Sequence, residues 1–204
     1  SLSCTLQAEK YETVSPNGKL KIKLKIDKGT QYEVWYDNTQ LILPSSIGLH
    51  LADGRVIGNG SVKSAKKRKV NQTIDVFVGK NKELQDTYNE LTVSFNDSCD
   101  LVVRAYDEGV AYHFATRLNG EITIISEDAI FNFASTPTIY YPECDANYSG
   151  ETDQSGRTHQ VHQGYRNFER LYKVYKGPLE IPYERFAVSP VLYEYPDSPY
   201  KVVV

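Results

Sequence analysis

Apolar and polar residues alternate one by one along much of the chain up to Phe133. The segment KLKIKLKID, residues 19–27, shows this most plainly, because Leu or Ile stands at every second position and Lys fills most positions between them. Successive side chains of a β-strand point to opposite faces, so the pattern predicts a strand with one buried and one solvated face. Comparable segments recur about every ten residues, which is typical of a β-sandwich or barrel.

Turn-forming residues separate these alternating segments. The sequences SPNG at 15–18, Asp37-Asn38 and Asp53-Gly54 each stand between two of the runs. Asn, Asp and Gly tolerate the backbone conformations that tight turns need, and Pro fixes one of them. These positions therefore predict hairpin connections between antiparallel strands.

Two adjacent acids and a histidine lie inside the apolar segment LVVRAYDEGVAYHFA, residues 101–115. One interpretation makes Asp107, Glu108 and His113 an acid–base site. The other makes Asp107 and Glu108 the tip of a hairpin in which Gly109 supplies a positive φ. Acids at a turn tip meet water, whereas acid–base catalysis needs a pocket that shifts the pKa of its groups, so the sequence favours the hairpin.

The composition changes after Phe133. Residues 134–167 are rich in Tyr, Gly, Pro and polar residues and show little periodicity, which predicts an irregular region that is either a functional loop or disordered. Weakly alternating segments return after it, and no part of the chain shows a helical pattern. We therefore expect a single all-β domain over 1–204, with antiparallel strands and little helix.

Charge excludes some classes of partner. The net charge of −3 and a pI of about 5.8 give no electrostatic reason to expect nucleic-acid binding. The one basic cluster, KSAKKRK at 63–69, is predicted to lie in a solvated strand or at a loop edge, where lysines discourage pairing with other chains. No apolar run is long enough to span a membrane.

The sequence contains three cysteines and no methionine. The missing initiator methionine indicates processing or an expression design, and a removed secretory signal is one explanation. Cys4, close to the first residue, is a candidate lipid anchor of the bacterial lipoprotein kind. Cys99 and Cys144 are left as either a disulfide or two free thiols, because their spacing fits no metal site.

Several short motifs, taken in order, resemble the N-terminal region of glycoside hydrolase family 97. YNELTVSF at 88–95 is similar to a Tyr-Asn-Glu-Leu strand of that family, and RAYDEGVAYHF at 104–114 is similar to the hairpin that follows it. SPNGKLKIKL at 15–24, LILPSSIGLHLADG at 41–54 and a late Tyr-Tyr-Pro keep the family's order. The resemblance covers nearly the whole chain.

The resemblance implies a β-super-sandwich of the galactose-mutarotase-like kind that packs on a catalytic (β/α)8 barrel. Family 97 enzymes act on α-glucosides or α-galactosides in the periplasm or outer envelope of bacteria and hold calcium near the substrate. This chain shows no alternation of strands and helices, so we expect the barrel to be absent from it. The expected function is a non-catalytic N-terminal domain that contributes to the calcium and substrate site, with carbohydrate and the barrel as partners.

The resemblance also implies one metal-site residue. In family 97 the N-terminal domain sends a glutamate to the calcium ion, and the matching segment NFERLYKVY at 167–175 places it at Glu169. Glu143, Glu151 and Asp153 are weaker candidates. Calcium takes six to eight oxygen ligands, so we expect one glutamate to bind it weakly or not at all in this chain alone.

Four tyrosines in or beside residues 134–167 are predicted to contact sugar, because sugars stack on aromatic rings: Tyr140, Tyr141, Tyr148 and Tyr165. The alternative is that they are ordinary strand tyrosines whose hydroxyls reach water at the sheet rim. His159 and His162 suggest a metal pair, but on a strand their spacing points them to opposite faces. No neighbouring cysteine or acid completes a zinc site.

Two other functions stay open. One is a free-standing carbohydrate-binding module that relies on exposed tyrosines. The other is a sugar enzyme like the aldose mutarotases, which share the super-sandwich fold and use a glutamate base and a histidine acid; the histidines available for this role are His50, His113, His159 and His162. The adjacent acids Asp107-Glu108 and Glu127-Asp128 cannot straddle one glycosidic bond, so we expect the chain alone to be inactive as a glycosidase.

Overall fold

The computed structural model describes the backbone of residues 8–77, 80–142, 149–152, 158–161, 174–178 and 190–204, and the side chains of residues 8–77, 80–140 and 190–204. These residues form antiparallel β-strands and no helix, which confirms the predicted fold class. The strands are β1 (Glu9–Val14), β2 (Leu20–Ile26), β3 (Thr30–Tyr36), β4 (Thr39–Leu51), β5 (Val56–Ile57), β6 (Val62–Asp75), β7 (Glu83–Phe95), β8 (Cys99–Ala105), β9 (Val110–Thr116), β10 (Ile124–Ala129), β11 (Asn132–Phe133), β12 (Thr138–Pro142), β13 (Ser149–Thr152), β14 (Thr158–Val161), β15 (Val174–Pro178), β16 (Leu192–Glu194) and β17 (Lys201–Val203).

The chain divides into two compact units, Ser1–Ala134 and Ser135–Val204. The division falls close to the change of composition after Phe133. The expectation of one continuous super-sandwich over the whole chain stays a prediction. No helix among the described residues is long and apolar enough to cross a membrane.

Two antiparallel sheets make up the first unit. Sheet A has the order β1-β2-β3-β4-β10, with β5 and β11 also paired to β4. Sheet B has the order β6-β7-β8-β9 and consists of consecutive hairpins. The predicted alternation decides which face of each sheet is buried, because neighbouring residues of a strand point in opposite directions.

The core of the first unit takes one face from each sheet. Leu20, Ile22, Leu24 and Ile26 of β2 are all at most 6 % exposed, as the alternation predicts. They belong to one apolar cluster with sheet B residues, among which Leu91, Val93, Phe95, Leu101 and Val103 are almost fully buried. A core shared by two facing sheets defines a β-sandwich, and burial of this apolar surface is its main source of stability.

The predicted turns between the early strands are confirmed. Asp37 and Asn38 connect β3 to β4 and have φ values of 45° and 67°, which are the two left-handed conformations of a type I′ hairpin. Gly54 has φ 86° in the turn after β4, and its backbone N–H donates to the carbonyl of Leu51 at 3.0 Å. Asn, Asp and Gly stand here because other residues are strained at positive φ.

The hairpin between β8 and β9 lies where the sequence places it, but its glycine was interpreted wrongly. Gly109 does not have a positive φ, and the residues at the tip, Asp107 and Glu108, do not either. The connection closes through a hydrogen bond from the Tyr106 N–H to the Gly109 carbonyl at 2.8 Å. A bend with negative φ throughout closes this loop, so nothing in it requires the left-handed conformation that glycine favours.

Asp107 has a structural role at this tip. Its Oδ1 accepts a hydrogen bond from the backbone N–H of Asn17 at 2.8 Å, across 90 residues of sequence. Asn17 lies in the turn between β1 and β2, so the contact connects the turn of one sheet to the turn of the other. This is the second of the two interpretations, and it leaves Asp107 without a catalytic pocket.

A smaller apolar cluster contains Leu51, Ile57 and the fully buried Cys99. The Cys99 thiol forms no disulfide. Burial, together with the nearby charges of Asp97 and Asp100, raises its pKa to about 12. Cys4 and Cys144 lie outside the described residues.

The hairpin of β6 and β7 is the longest in the described part of the chain. The basic cluster at 63–69 lies on β6, which is an edge strand of sheet B, as predicted. Strand β8 pairs with β7 only between Asn89 and Ser94, so the distal half of the hairpin is a two-stranded ribbon. Three apolar side chains are exposed near its tip: Ile74, Phe77 and Leu84.

The second unit contains a sheet of order β15-β12-β16-β17 and a separate pair, β13-β14. Three of these strands lie within residues 134–167, the stretch that was expected to be irregular. They are four or five residues long and contain Gly, Pro and Thr, so they are too short to produce a visible alternation.

Candidate functional site

Most of the predicted site residues fall outside the described part of the structure. Glu169, Tyr148 and Tyr165 are not described, and neither are Glu143, Asp153 and His162. Tyr141 lies in β12, Glu151 in β13 and His159 in β14, but their side chains are not described. Tyr140 is the one predicted sugar-binding residue whose side chain the structure describes.

Tyr140 is held in place on β12. Its hydroxyl donates a hydrogen bond to Glu194 Oε2 at 2.7 Å, and Lys201 Nζ lies 3.0 Å from the other carboxylate oxygen. The three residues come from β12, β16 and β17, which are neighbours in one sheet. The hydrogen bond that Lys201 donates to Glu194 raises the pKa of Lys201, which stays charged. These contacts orient the Tyr140 ring, and contact with sugar stays a prediction.

The motifs that carry the family resemblance meet on the face of sheet B that points away from the core. Glu90 of β7 lies directly between Arg68 of β6 and Arg104 of β8 in the strand register. Arg68 Nε is 2.5 Å from Glu90 Oε1, and Arg68 Nη2 and Arg104 Nε are 3.0 Å and 2.9 Å from Oε2. Both carboxylate oxygens are therefore occupied by guanidinium groups.

The electrostatics of this cluster keep Glu90 ionised. Its side chain is only 5 % exposed. The hydrogen bond from Arg68, assisted by the one from Arg104, lowers the pKa of Glu90 although burial acts in the opposite direction. A carboxylate that holds no proton near neutral pH and has no free oxygen cannot act as a general acid.

The remaining motif residues also hold the strands together. The Arg104 guanidinium lies 4.6 Å from the centre of the Tyr88 ring, and the rings of Tyr88 and Tyr106 are 5.0 Å apart. Asn89 Nδ2 donates to the Val14 carbonyl of β1 at 2.7 Å, which connects sheet B to sheet A. The YNEL and RAYD motifs are therefore structural, and they mark the fold of the domain.

A second polar cluster lies on the solvated face of sheet A, where the sequence analysis saw only strand alternation. It surrounds Trp35, the single tryptophan of the chain. The indole Nε1 donates to Glu33 Oε2 at 3.0 Å, and Gln40 Nε2 donates to the same oxygen at 3.2 Å. Lys23 Nζ lies 4.5 Å from the centre of the indole ring. The signal that could have revealed this cluster is the strand alternation itself, which places all four side chains on one face.

A groove adjoins Trp35 on this face. Lys23 and Glu33, which both contact the indole, form part of its wall. It has a volume of about 490 Å³ and is lined by Lys10, Tyr11, Glu12, Lys23, Leu24, Lys25 and Glu33. We call these residues together with Trp35 the sheet A groove. Its lining offers charged hydrogen-bond donors and acceptors, and the plane of Trp35 lies beside it through the contacts with Lys23 and Glu33, which suits a polar ligand.

No histidine of the described residues lies within hydrogen-bond distance of a glutamate that could act as a base. Among the described side chains, the histidine–carboxylate pair within hydrogen-bond distance is His50 Nε2 and Asp128 Oδ2, at 2.9 Å. Glu127, the neighbour of Asp128, instead lies near Tyr112 and helps to raise its pKa, after burial. The two adjacent acids therefore face opposite ways, as expected. No group of three metal-ligating side chains occurs in the part of the chain that the structure describes.

These features define an antiparallel β-sandwich domain whose buried charges hold its own strands together. Residues 13–204 match the family described as Glycosyl-hydrolase 97 N-terminal, and the chain belongs to this family. The match confirms the resemblance that the motifs indicated.

The chain matches one part of several longer proteins. It is 28 % identical over 173 residues to a retaining alpha-galactosidase of Bacteroides thetaiotaomicron. The match covers 83 % of this chain and 25 % of that protein. The fold of this chain is similar to that of a glycoside hydrolase family 97 enzyme from Pseudoalteromonas sp. strain K8 in complex with panose, with a TM-score of 0.59 and 19 % identity. The match covers 74 % of this chain and 24 % of that enzyme. A beta-arabinopyranosidase gives a TM-score of 0.60, 19 % identity and coverage of 74 % and 26 %. The chain thus spans about a quarter of the length of these relatives.

Proposed function

We propose that this chain is the non-catalytic N-terminal domain of a glycosidase that acts on α-galactosides or α-glucosides. The observation that carries the proposal is the match to the N-terminal family over residues 13–204, together with the small share of the relatives that the chain spans. A domain of this kind supplies a packing surface and single residues to a catalytic domain, which performs the reaction. The substrate class follows from the curated relative, a retaining alpha-galactosidase, and from the similar enzyme that binds panose.

The carboxyl groups of the described residues support a non-catalytic role. Glycoside hydrolysis needs two carboxyl groups on either side of the bond, one of which has a raised pKa so that it can donate a proton. Among the described carboxyl groups, each pKa that clearly departs from its ordinary value is lowered by an arginine: Asp53, Glu90 and Asp100. This distribution favours structural ion pairs.

Activity assays with and without a catalytic domain test the proposal. The 204-residue chain should not hydrolyse 4-nitrophenyl α-galactoside or α-glucoside, whereas the protein that includes the adjoining catalytic domain should hydrolyse one of them. Turnover by the 204-residue chain at a rate proportional to its concentration, and unchanged on further purification, would contradict the proposal. The preference between the two substrates then defines the enzyme further.

The proposed contribution to calcium binding rests on Glu169 and the family resemblance. In this proposal Glu169 supplies one carboxylate to an ion whose other ligands come from the catalytic domain. Since one carboxylate cannot satisfy the six to eight oxygens that calcium takes, the isolated chain should show calcium affinity in the millimolar range or weaker. In the full enzyme, Glu169→Gln should weaken calcium binding, measured by titration calorimetry, while Glu108→Gln, at an exposed glutamate of the β8–β9 turn, serves as the matched control.

We also propose the periplasm or outer envelope as the location of the protein, with Cys4 as a candidate lipid anchor. The support for this location is the family resemblance. Fractionation of cells that produce the protein with its native leader tests this location. A Cys4→Ser variant that moves from the membrane fraction to the soluble fraction would identify the anchor, and unchanged partition would exclude it.

A further inference from the structure

The solvated face of sheet A has features that the proposed function does not use. Trp35, Glu33, Lys23 and Gln40 form one connected cluster there, on three neighbouring strands. We propose that the sheet A groove binds a neutral pyranose unit of an oligosaccharide.

The aromatic plane is the first part of the argument. The indole ring of Trp35 is fixed on one side by its hydrogen bond to Glu33 and on the other by the ammonium group of Lys23. A rigid, half-exposed aromatic ring on a flat sheet matches the apolar C–H face of a pyranose. Lys23 has a flexible side chain, so a sugar that stacks on the ring displaces its ammonium group at small cost, and that group then reaches a sugar hydroxyl.

Hydrogen-bonding capacity is the second part. Both hydrogen bonds of the Glu33 carboxylate end on Oε2, so Oε1 is available to a ligand hydroxyl. The ammonium of Lys23 offers three donors. It contacts the indole ring, and no carboxylate of the described residues lies within 4 Å of it. One acceptor and one donor beside an aromatic plane match the paired hydroxyls of a sugar, each of which both donates and accepts.

Size and charge select the ligand. The volume of about 490 Å³ lies within the usual range for small-molecule sites. The wall carries both signs: Lys23 stands between Glu12 and Glu33 in the strand register, and Lys10 pairs with Lys25. The two signs nearly balance, so the groove favours a neutral sugar over a charged one.

The test uses the fluorescence of Trp35, which reports this site alone because the chain has no other tryptophan. The 204-residue chain is titrated with panose, with raffinose as a neutral α-galactoside and with an oligogalacturonide as an acidic sugar. The choice of gluco- and galacto-oligosaccharides rests on the proposed function. A saturable change in emission with a neutral oligosaccharide, with a Kd in the millimolar range, is the expected result.

Variants locate the binding by titration calorimetry. Trp35→Ala and Glu33→Gln should each weaken binding by about tenfold or more. The first removes the aromatic plane, and the second removes the charge and replaces one carboxylate oxygen by an NH2 group that cannot accept a hydrogen bond. Lys66→Ala, an exposed lysine on sheet B, is the matched control and should bind as the wild type does. Circular dichroism and melting curves identify any variant that does not fold, and Glu33→Gln keeps the size of its side chain, so it tests the site independently of Trp35→Ala.

Three results would overturn the proposal. They are the absence of calorimetric binding of any neutral oligosaccharide at millimolar concentrations, binding of the acidic sugar alone, and binding that Trp35→Ala and Glu33→Gln leave unchanged. Glycosidase activity of the full enzyme is measured separately. An inactive enzyme contradicts the proposed function, whereas failure of these titrations contradicts only the groove.

Discussion

The solvated faces of sheets A and B are built from the same kinds of side chain but differ in how these are used. Each face has a glutamate at the centre of a strand, with cations and aromatic rings around it. On sheet B, Glu90 is buried and its two oxygens contact the guanidinium groups of Arg68 and Arg104. On sheet A, Glu33 is half-buried, and within the part of the chain that the structure describes it accepts hydrogen bonds only from the neutral donors of Trp35 and Gln40, on a single oxygen.

The difference separates the marks of the fold from a candidate for binding. A cluster whose carboxylate has both oxygens occupied stabilises the strands it connects and leaves no acceptor for a ligand. A cluster with an open acceptor and a displaceable cation keeps that capacity. The family motifs lie in the first kind of cluster, so they identify the fold of the chain, while the sheet A groove is the place to look for what distinguishes its binding.

The largest expected effect is on sheet B. Glu90→Ala should lower the free energy of unfolding by about 2 kcal/mol, less than for a fully buried ion pair because both guanidinium groups still reach water. Glu33→Ala is the matched control on sheet A and should change it by about 0.5 kcal/mol. Urea denaturation followed by circular dichroism measures both. Equal effects of the two substitutions would remove the distinction between the faces.

A second effect is the pH dependence of stability. Because the pKa of Glu90 is lower in the folded chain than in the unfolded one, its contribution is complete above the unfolded value, about 4.3. The contribution is lost as the pH falls through the folded value, where the unfolded chain binds more protons. Urea midpoints between pH 7 and pH 3 should therefore fall less steeply for Glu90→Gln than for the wild type. Parallel curves would contradict this assignment.

A smaller effect concerns the contact between the two sheets at their turns. Asp107→Ala removes the acceptor for the Asn17 N–H and should destabilise the chain by about 1 kcal/mol. Glu108→Ala, the neighbouring acid at the same tip, should have almost no effect. If both substitutions cost the same, general charge at the tip rather than this hydrogen bond stabilises the hairpin.

The smallest expected effect is at the sheet A groove. Lys23→Met removes the ammonium group from the indole face, where such a contact is worth about 0.5 kcal/mol at an exposed site. Stability should therefore hardly change, whereas the fluorescence emission of Trp35 should shift, since its ring loses an adjacent charge. Emission identical to that of the wild type would mean that the ammonium does not rest on the ring in solution. Lys25→Met is the control, one position along the same face.

Local sequence predicted most of the first unit, because the alternation of apolar and polar residues along a strand shows which of its side chains are buried. The alternation in β2 and the Asp37-Asn38 turn each depend on neighbours in sequence. Gly109 was interpreted wrongly because a glycine permits a positive φ without requiring one. The φ of Gly109 is set by the strands on either side of the hairpin.

The clusters could not be predicted, because they depend on strand register. Arg68 and Glu90 are 22 residues apart and Glu90 and Arg104 are 14 apart, and only the pairing of three strands brings them together. A shift of one residue would send one of these side chains to the core. The same holds for Lys23 and Trp35 on sheet A. The resemblance named the motif residues without revealing that their charges neutralise one another.

Cys99 can report how often the interior of the first unit opens to solvent. Its thiol is buried in the second apolar cluster, and a raised pKa adds a chemical barrier to the steric one. A thiol reagent can therefore modify it only while β8 is transiently separated from its neighbours, and the modification rate counts those openings. Peptide mapping separates Cys99 from Cys4 and Cys144. The frequency of strand opening is thus measurable in the wild-type protein, without a mutation.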